Sequence, residues 1–284
     1  MNHLLSKIGS YPFEKLNRLL KDIKPSKEVI NLSIGEPKLN ADSKVLDILN
    51  KETNSFSSYP PMNAVPELSE AYRQYLKSHF GIENVTEDEV CLVAGTREGT
   101  FSIIQALFNK ENVKNKPYVV MPNPFYQIYG GATTLAGGEA KFMDCPEEDN
   151  FQPDLGSLES EDWQKCQILV LCSPNNPTGS VLPLSKLKDI LDLADKYDFY
   201  VVSDECYVDL YTSEESCPSI LQASSGRSDR LLLFIVYRKD PIYLVLDRVL
   251  LAPVKKPFLP IRSLGLFMGS AFLCQFKKRA LKLG

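Results

Sequence analysis

The chain has 284 residues, 44% of them hydrophobic and 24% charged, with a formal net charge of −4. That length suits one large domain or two ordinary ones, and the apolar share allows a sizeable core and excludes a natively disordered chain. The N-terminus has no apolar segment followed by a cleavage site, which argues against secretion, and two His (His3 and His79) argue against a His-rich zinc site and a Ser-His-Asp triad.

In chain order, residues 12–23 carry helical periodicity and are followed by Pro25. VINLSI at 29–34 is a short apolar run ending at Gly35-Glu36-Pro37, a strand running into a loop. Residues 64–80 read as an amphipathic helix opened by Pro66 and Glu67. An alternation then begins. Val90 to Ala94 is strand-like, Gly95 breaks it, and Thr96 to Asn109 is helical. Pro117 to Met121 reads as a strand with a helix after Pro124, and Gln167 to Cys172 is an apolar run broken by SPNNPTG. Leu184, Leu187, Leu191 and Ala194 form a helix stripe, Phe199 to Ser203 is a strand entering Asp204-Glu205, and LLLF at 231–234 is a further strand. Strands alternating with helices predict an α/β fold, a mainly parallel sheet flanked by helices on both faces. Cys91, Cys145, Cys166, Cys172, Cys206, Cys217 and Cys274 lie at irregular spacings without a CxxC, as expected of free thiols in a reducing cytoplasm.

In such a sheet, ligands bind at the carboxyl ends of the strands. Three motifs fall there. Gly95-Thr96-Arg97-Glu98-Gly99-Thr100 joins a strand to a helix whose free N–H groups favour an anion; the same run also reads as an ordinary helix start. SPNNPTG makes a rigid loop with two amides to present to a ligand hydroxyl, or an Asx turn. Asp204 ends a buried strand and needs a cationic or hydrogen-bonding partner, such as a protonated pyridine nitrogen; a helix N-cap is the plainer role. Tyr207 can point a hydroxyl into the same space or pack in the core.

The ordered set INLSIGEP, YPPMNAVPEL, VAGTREG, MPNPFYQIYGG, SPNNPTG and SDECYVDLY resembles the class I/II, fold-type I, pyridoxal-phosphate-dependent aminotransferases over about residues 29–234. Within them, GTREGTF, SPNNPTGSVL, SDECYVDLY and the ESCPSILQAS run look like the N-succinyldiaminopimelate aminotransferases of lysine and peptidoglycan-precursor synthesis. The resemblance implies pyridoxal 5'-phosphate as cofactor, an amino acid and a 2-oxo acid as substrates, a cytoplasmic location and a homodimer. It implies that Asp204 pairs with the pyridinium nitrogen, and that Asn176 and Tyr207 bond the ring's phenolic oxygen. Tyr126 would stack on the ring, and Gly95, Thr96 and Arg97 would hold the phosphate. Gly35 would admit the substrate carboxylate, and Tyr59 would reach the phosphate of the partner subunit's cofactor. The implied organisation is an N-terminal arm at 1–30, a cofactor-binding domain at 31–234 and an aberrant tail at 235–284, with the C-terminal small domain missing.

The tail differs from the rest. Residues 1–230 carry 22 Lys and Arg against 34 Asp and Glu, a net of −12, whereas residues 231–284 carry 10 basic and 2 acidic residues, a net of +8. The acidic body argues against nucleic acid as a partner, and the tail's uncharged stretch, Ser263 to Phe276, is too short to span a bilayer. The resembling family anchors its cofactor through a lysine in a Ser-x-x-Lys motif after the strand that LLLF fits. Here IVYRKDPIYLVLDRVLLAPVKK follows, and Lys239 sits in no such motif. Joining the last base of each codon to the first two of the next, with one choice of wobble bases, gives HSLSKRSNLSGFRSGFVG from Phe234 onward. The missing lysine motif and the Arg after it reappear in order, the lysine codon straddling Arg238 and Lys239. We expect residues from about 235 to be out of frame relative to the ancestral gene. Reading the gene's bases across codons 234–252 tests this: the shifted frame is expected to spell the Ser-x-x-Lys run, and its absence there would sink the idea.

Overall fold

The computed structural model describes residues 2–9, 11–30, 33, 43–51, 66–90, 93, 95–210, 217–224 and 231–235. Helices α1 (Pro12–Leu20), α2 (Ser43–Lys51) and α3 (Pro66–Phe80) come first, then α4 (Thr96–Leu107). The sheet-forming part follows: β1 (Tyr118–Asn123), α5 (Ile128–Ala136), β2 (Glu139–Asp144), α6 (Ser160–Gln164), β3 (Cys166–Cys172), α7 (Leu184–Tyr197), β4 (Tyr200–Glu205), α8 (Ile220–Ser224) and β5 (Leu231–Ile235). The strands form one sheet in the order β2-β1-β3-β4-β5, and all its pairings are parallel. The parallel sheet flanked by helices is the predicted α/β architecture.

Helix boundaries follow local chemistry. Proline occupies the first turn of α1 and the first position of α3, where its missing N–H has no intrahelical acceptor to lose. Gly95 precedes α4 at a φ of +153°, a conformation that glycine alone takes without strain. Gly137 closes α5 in the left-handed region at φ +87°.

The sheet divides the core into two apolar layers because successive strand residues point to opposite faces. On one face, Val120, Leu169, Leu171, Val201, Leu231 and Leu233 pack with residues of α3, α6, α7 and α8, including Tyr72, Leu76, Trp163, Leu187 and Ile220. On the other, Val119, Met121, Ile168, Val170, Val202 and Leu232 pack with Ile103, Ile104 and Leu107 of α4 and Tyr129, Ala132 and Ala136 of α5. β3 is buried at every residue, so it reads as a continuous apolar run.

The structure differs from expectation in places. β2 was not foreseen: EAKFMD is a sheet-edge strand with mixed exposure, so neither an apolar run nor a clean alternation marks it. α2 was also unforeseen, and α1 stops at Leu20 rather than at residue 23. β4 begins at Tyr200 and takes in Asp204 and Glu205. Val29, Ile30 and Ser33 lie outside any strand, and Asn31, Leu32 and Ile34 of the expected run fall outside the described residues, as do Cys91, Leu92 and Ala94. Leu169→Ala, at the centre of β3, is expected to cost about 2–5 kcal/mol through the cavity it leaves, read as a lower urea midpoint at unchanged slope.

Candidate functional site

The carboxyl ends of β3 and β4 and the start of α4 bring most of the sequence-predicted residues together. Asp204 pairs in register with Cys172 across β3 and β4 and is 3% exposed. Its position in the pleat matches Val202, so it faces the layer of α4 and α5. There the Tyr129 hydroxyl donates a 2.7 Å hydrogen bond to Asp204 Oδ2, within a fully buried contact. The Cys206 N–H approaches Oδ1 at 3.4 Å. This supplies the partner that a buried carboxylate requires. Burial, with the Asp204 charge adding to it, pushes the Tyr129 phenol well above its ordinary range, so the hydroxyl stays protonated and donates. No helix starts at Asp204, so the N-cap role is not the one it fills.

The loop after β3 closes on itself. The Asn175 N–H donates to the Ser180 carbonyl at 2.8 Å, and the Gly179 N–H donates to the Asn175 carbonyl at 2.8 Å. The Asn175 side chain donates to Thr178 Oγ1 at 2.9 Å, the structural role. The next asparagine behaves differently: Asn176 Nδ2 donates to the Tyr207 hydroxyl at 3.4 Å, crossing from the β3 loop to the turn after β4. Tyr207 is half-buried, and desolvation with the neighbouring Cys206 raises its phenol above the ordinary range. Cys172, at the base of the loop, directs its thiol to the Pro174 carbonyl at 3.2 Å, and burial raises that thiol too.

Thr96 and Arg97 occupy the first turn of α4, where backbone N–H groups lack intrahelical acceptors and the helix dipole is positive. Gly95 makes no side-chain cap there. The Arg97 guanidinium lies 5.9 Å from the centre of the Tyr126 ring, and Tyr126 meets Tyr129 edge-on at 5.7 Å. Arg97, Tyr126, Tyr129 and Asp204 therefore form a continuous chain of contacts from the start of α4 to the end of β4. Gly35 and Tyr59 lie outside the described residues.

Tyr129 is the residue the sequence reading passed over. It lies three residues after Tyr126 in FYQIYGG, and an i, i+3 spacing at a helix start places two rings on one side. Nothing in the sequence tied it to Asp204, 75 residues away.

An open α/β sheet with a buried carboxylate, polar loop and helix N-terminus gathered at its carboxyl edge is the layout of a small-molecule-binding domain. Comparison with known proteins narrows this. Residues 27–237 match the family Aminotransferase class I and II, and the chain belongs to it. The family depends on pyridoxal 5'-phosphate. The chain is 29% identical over 226 residues to an LL-diaminopimelate aminotransferase of Aquifex aeolicus, covering 78% of this chain and 57% of that enzyme. It is also 29% identical to an aspartate aminotransferase of Pyrococcus horikoshii, over 68% of this chain and 48% of that one. The chain thus spans about half the length of these curated relatives. Among solved structures, an aminotransferase from Neisseria meningitidis superimposes with a TM-score of 0.83 at 35% identity, over 97% of this chain and 73% of that chain. AspB from Helicobacter pylori superimposes with a TM-score of 0.83 at 31% identity, over 96% of this chain and 72% of that chain. Among the described residues, no helix is long and apolar enough to cross a membrane, and no cluster of His, Cys, Asp and Glu could hold a metal ion.

Tyr129→Phe removes the donor while keeping the ring. It is expected to destabilise the fold by about 1.5–3 kcal/mol, the range for a hydrogen bond to a charged group, measured by denaturant unfolding at neutral pH.

Proposed function

We propose that this chain is the cofactor-binding part of an amino-acid aminotransferase, exchanging an amino group between an amino acid and a 2-oxo acid such as 2-oxoglutarate. We take N-succinyl-LL-diaminopimelate, in the route to diaminopimelate and lysine, as the amino-acid substrate. The observation that carries the reading is the buried Asp204 carboxylate, held by Tyr129 next to the Asn176–Tyr207 pair. The similarity to the LL-diaminopimelate aminotransferase of Aquifex aeolicus supports the diaminopimelate skeleton, and the run from SPNNPTGSVL to ESCPSILQAS supports the succinylated form.

The donor set fits pyridoxal phosphate. Asp204 is the counter-charge that keeps a proton on a pyridine nitrogen. Asn176 and Tyr207 are the donors for a phenolic oxygen. The first-turn N–H groups of α4, with Thr96 and Arg97, suit a phosphate dianion, and Gly95 lets the backbone approach it. Tyr126 offers a ring face for stacking. When bound, the cofactor supplies an electron-withdrawing ring that stabilises negative charge at the amino acid's α-carbon. The protein's part is to fix ring protonation and orientation. Gly35 would receive the substrate carboxylate, and Tyr59 would serve the partner subunit's cofactor, which makes the functional unit a homodimer in the cytoplasm. Residues 1–30 then form an arm and residues 31–234 the cofactor domain, extended by Ile235 at the end of β5; the sequence that follows is the basic and apolar tail.

A second reading, of a non-catalytic remnant, is favoured by one sequence observation: Lys239 lacks the Ser-x-x-Lys context. Without a lysine at the cofactor, no protein amine is poised to shuttle the proton between substrate carbons. This chain is therefore expected to bind pyridoxal phosphate and to show little or no transamination. Two measurements decide between the readings. Absorbance titration should show the cofactor bound by the chain and bound about tenfold or more weakly by Asp204→Ala. A stopped assay with N-succinyl-LL-diaminopimelate and 2-oxoglutarate should show no normal turnover; normal turnover, with an absorbance band that shifts reversibly on adding the amino donor, would overturn the non-catalytic reading.

A further inference from the structure

Beside Asp204 stands a second buried carboxylate with no part in the reading above. Glu205 ends β4 and is 1% exposed. The pleat turns it away from Asp204, to the face of α3 and α8. Its Oε1 accepts from Ser203 Oγ at 2.9 Å and from the Ile220 N–H at 2.8 Å, the first amide of α8. One carboxylate thus ties the last strand residues to a segment fifteen positions on. Its carbonyl also accepts from the Val208 N–H at 3.3 Å, and the Leu210 N–H donates to the Tyr207 carbonyl at 2.8 Å, so the turn carrying Tyr207 is built on Glu205. The far side of that turn is fastened by the Tyr75 hydroxyl of α3, which donates to Asp209 Oδ1 at 2.8 Å.

We propose that Glu205 is a positioning residue: by clamping the end of β4 to the start of α8, it fixes the turn that aims Tyr207 and the strand end that presents Asp204. The role in cofactor binding rests on the function proposed above; the clamp itself does not.

The surroundings explain why the clamp uses an acid that yields its charge. Among the described residues, the carboxylate of Asp204, the thiols of Cys172 and Cys217 and the Tyr75 phenol lie near Glu205, none of them positive, and Asp209 stands beyond Tyr75 and Cys217. Burial raises the Glu205 carboxyl to about 7, against the pull of its hydrogen bonds and with the neighbouring Asp204 adding to the rise. Among the described residues its Oε2 has no hydrogen-bond partner, and it is the oxygen left for a proton. Because the folded-state value is raised, stability from this group is complete below about 4.5 and is lost as pH climbs through about 7. Above that pH the clamp carries a desolvated charge and opens more readily.

The test compares the full chain with Glu205→Ala and Glu205→Gln. Hydrogen exchange at the Ile220 and Val208 amides, corrected for intrinsic rates, should speed by about tenfold in the Ala form and return to within about threefold in the Gln form, which keeps the acceptor. Exchange at Ile220 in the unaltered chain should rise as pH passes about 7 and stay flat in the Gln form. Pyridoxal phosphate affinity should follow the same order, about tenfold weaker in Ala and recovered in Gln. Should the Ala form not fold, Ser203→Ala, which removes one donor, is expected to give about threefold faster exchange at Ile220. Unchanged exchange in the Ala form, or no recovery in the Gln form, overturns the clamp. Exchange that changes as expected while cofactor affinity does not overturns the positioning role. If no form binds the cofactor, the proposed function fails while the exchange data still decide the clamp.

Discussion

A carboxylate taken out of water must find donors or lose its charge, and the site is arranged around that requirement at Asp204. The Tyr129 hydroxyl meets it from α5, which fixes the distance between that helix and the end of β4. Tyr129 in turn stands edge-on to Tyr126, and Tyr126 faces Arg97 at the start of α4. Two helices and a strand are therefore held in register by one contact chain whose anchor is a single anionic side chain. The apolar packing of α4 and α5 on the sheet supplies the cohesion of this layer; the polar chain through it supplies the geometry.

The neighbouring carboxylate shows the same constraint answered the other way. Asp204 is met by a phenol; among the described residues, the charged and titratable groups recorded near Glu205 are not positive, and one of its oxygens has no donor. Burial that raises the proton affinity of Glu205 keeps two neighbouring carboxylates from both having to carry charge. The sheet makes this possible by sending consecutive side chains into different layers, so the two carboxylates share a strand end but take their hydrogen bonds from different elements.

Most of the sheet was legible in the sequence, because buried parallel strands leave apolar runs. β3, β4 and β5 are of this kind, and Cys166 to Cys172 is apolar nearly throughout and ended by Ser173-Pro174. β2 was hidden because an edge strand with Glu139, Lys141 and Asp144 has no such run. Asp204, Asn176 and Tyr207 could be named in advance because each lies just where a strand gives way to a loop. Tyr129 and Glu205 could not. Their importance comes from partners 75 and 15 residues away, and a pairing across elements leaves no local pattern. The contrast between Asn175 and Asn176 was hidden for a related reason: adjacent amides in one loop are equivalent in sequence, and only the fold turns one inward to Thr178 and the other outward to Tyr207.

The alternation of β4 also sets which genetic changes this region tolerates. A substitution in β4 alters one side chain in one layer. Adding or removing a single residue before Asp204 would slip the remaining strand by one position and exchange the layers of everything after it. The acid now facing Tyr129 would turn toward α8, and the one now clamping Ile220 would turn toward α5. Both would remain buried and both would meet the wrong neighbours. Chain length within Tyr200–Glu205 is thus under tighter constraint than residue identity at most of its positions, and homologous chains aligned through this strand should differ by exchange of residues and not by gaps.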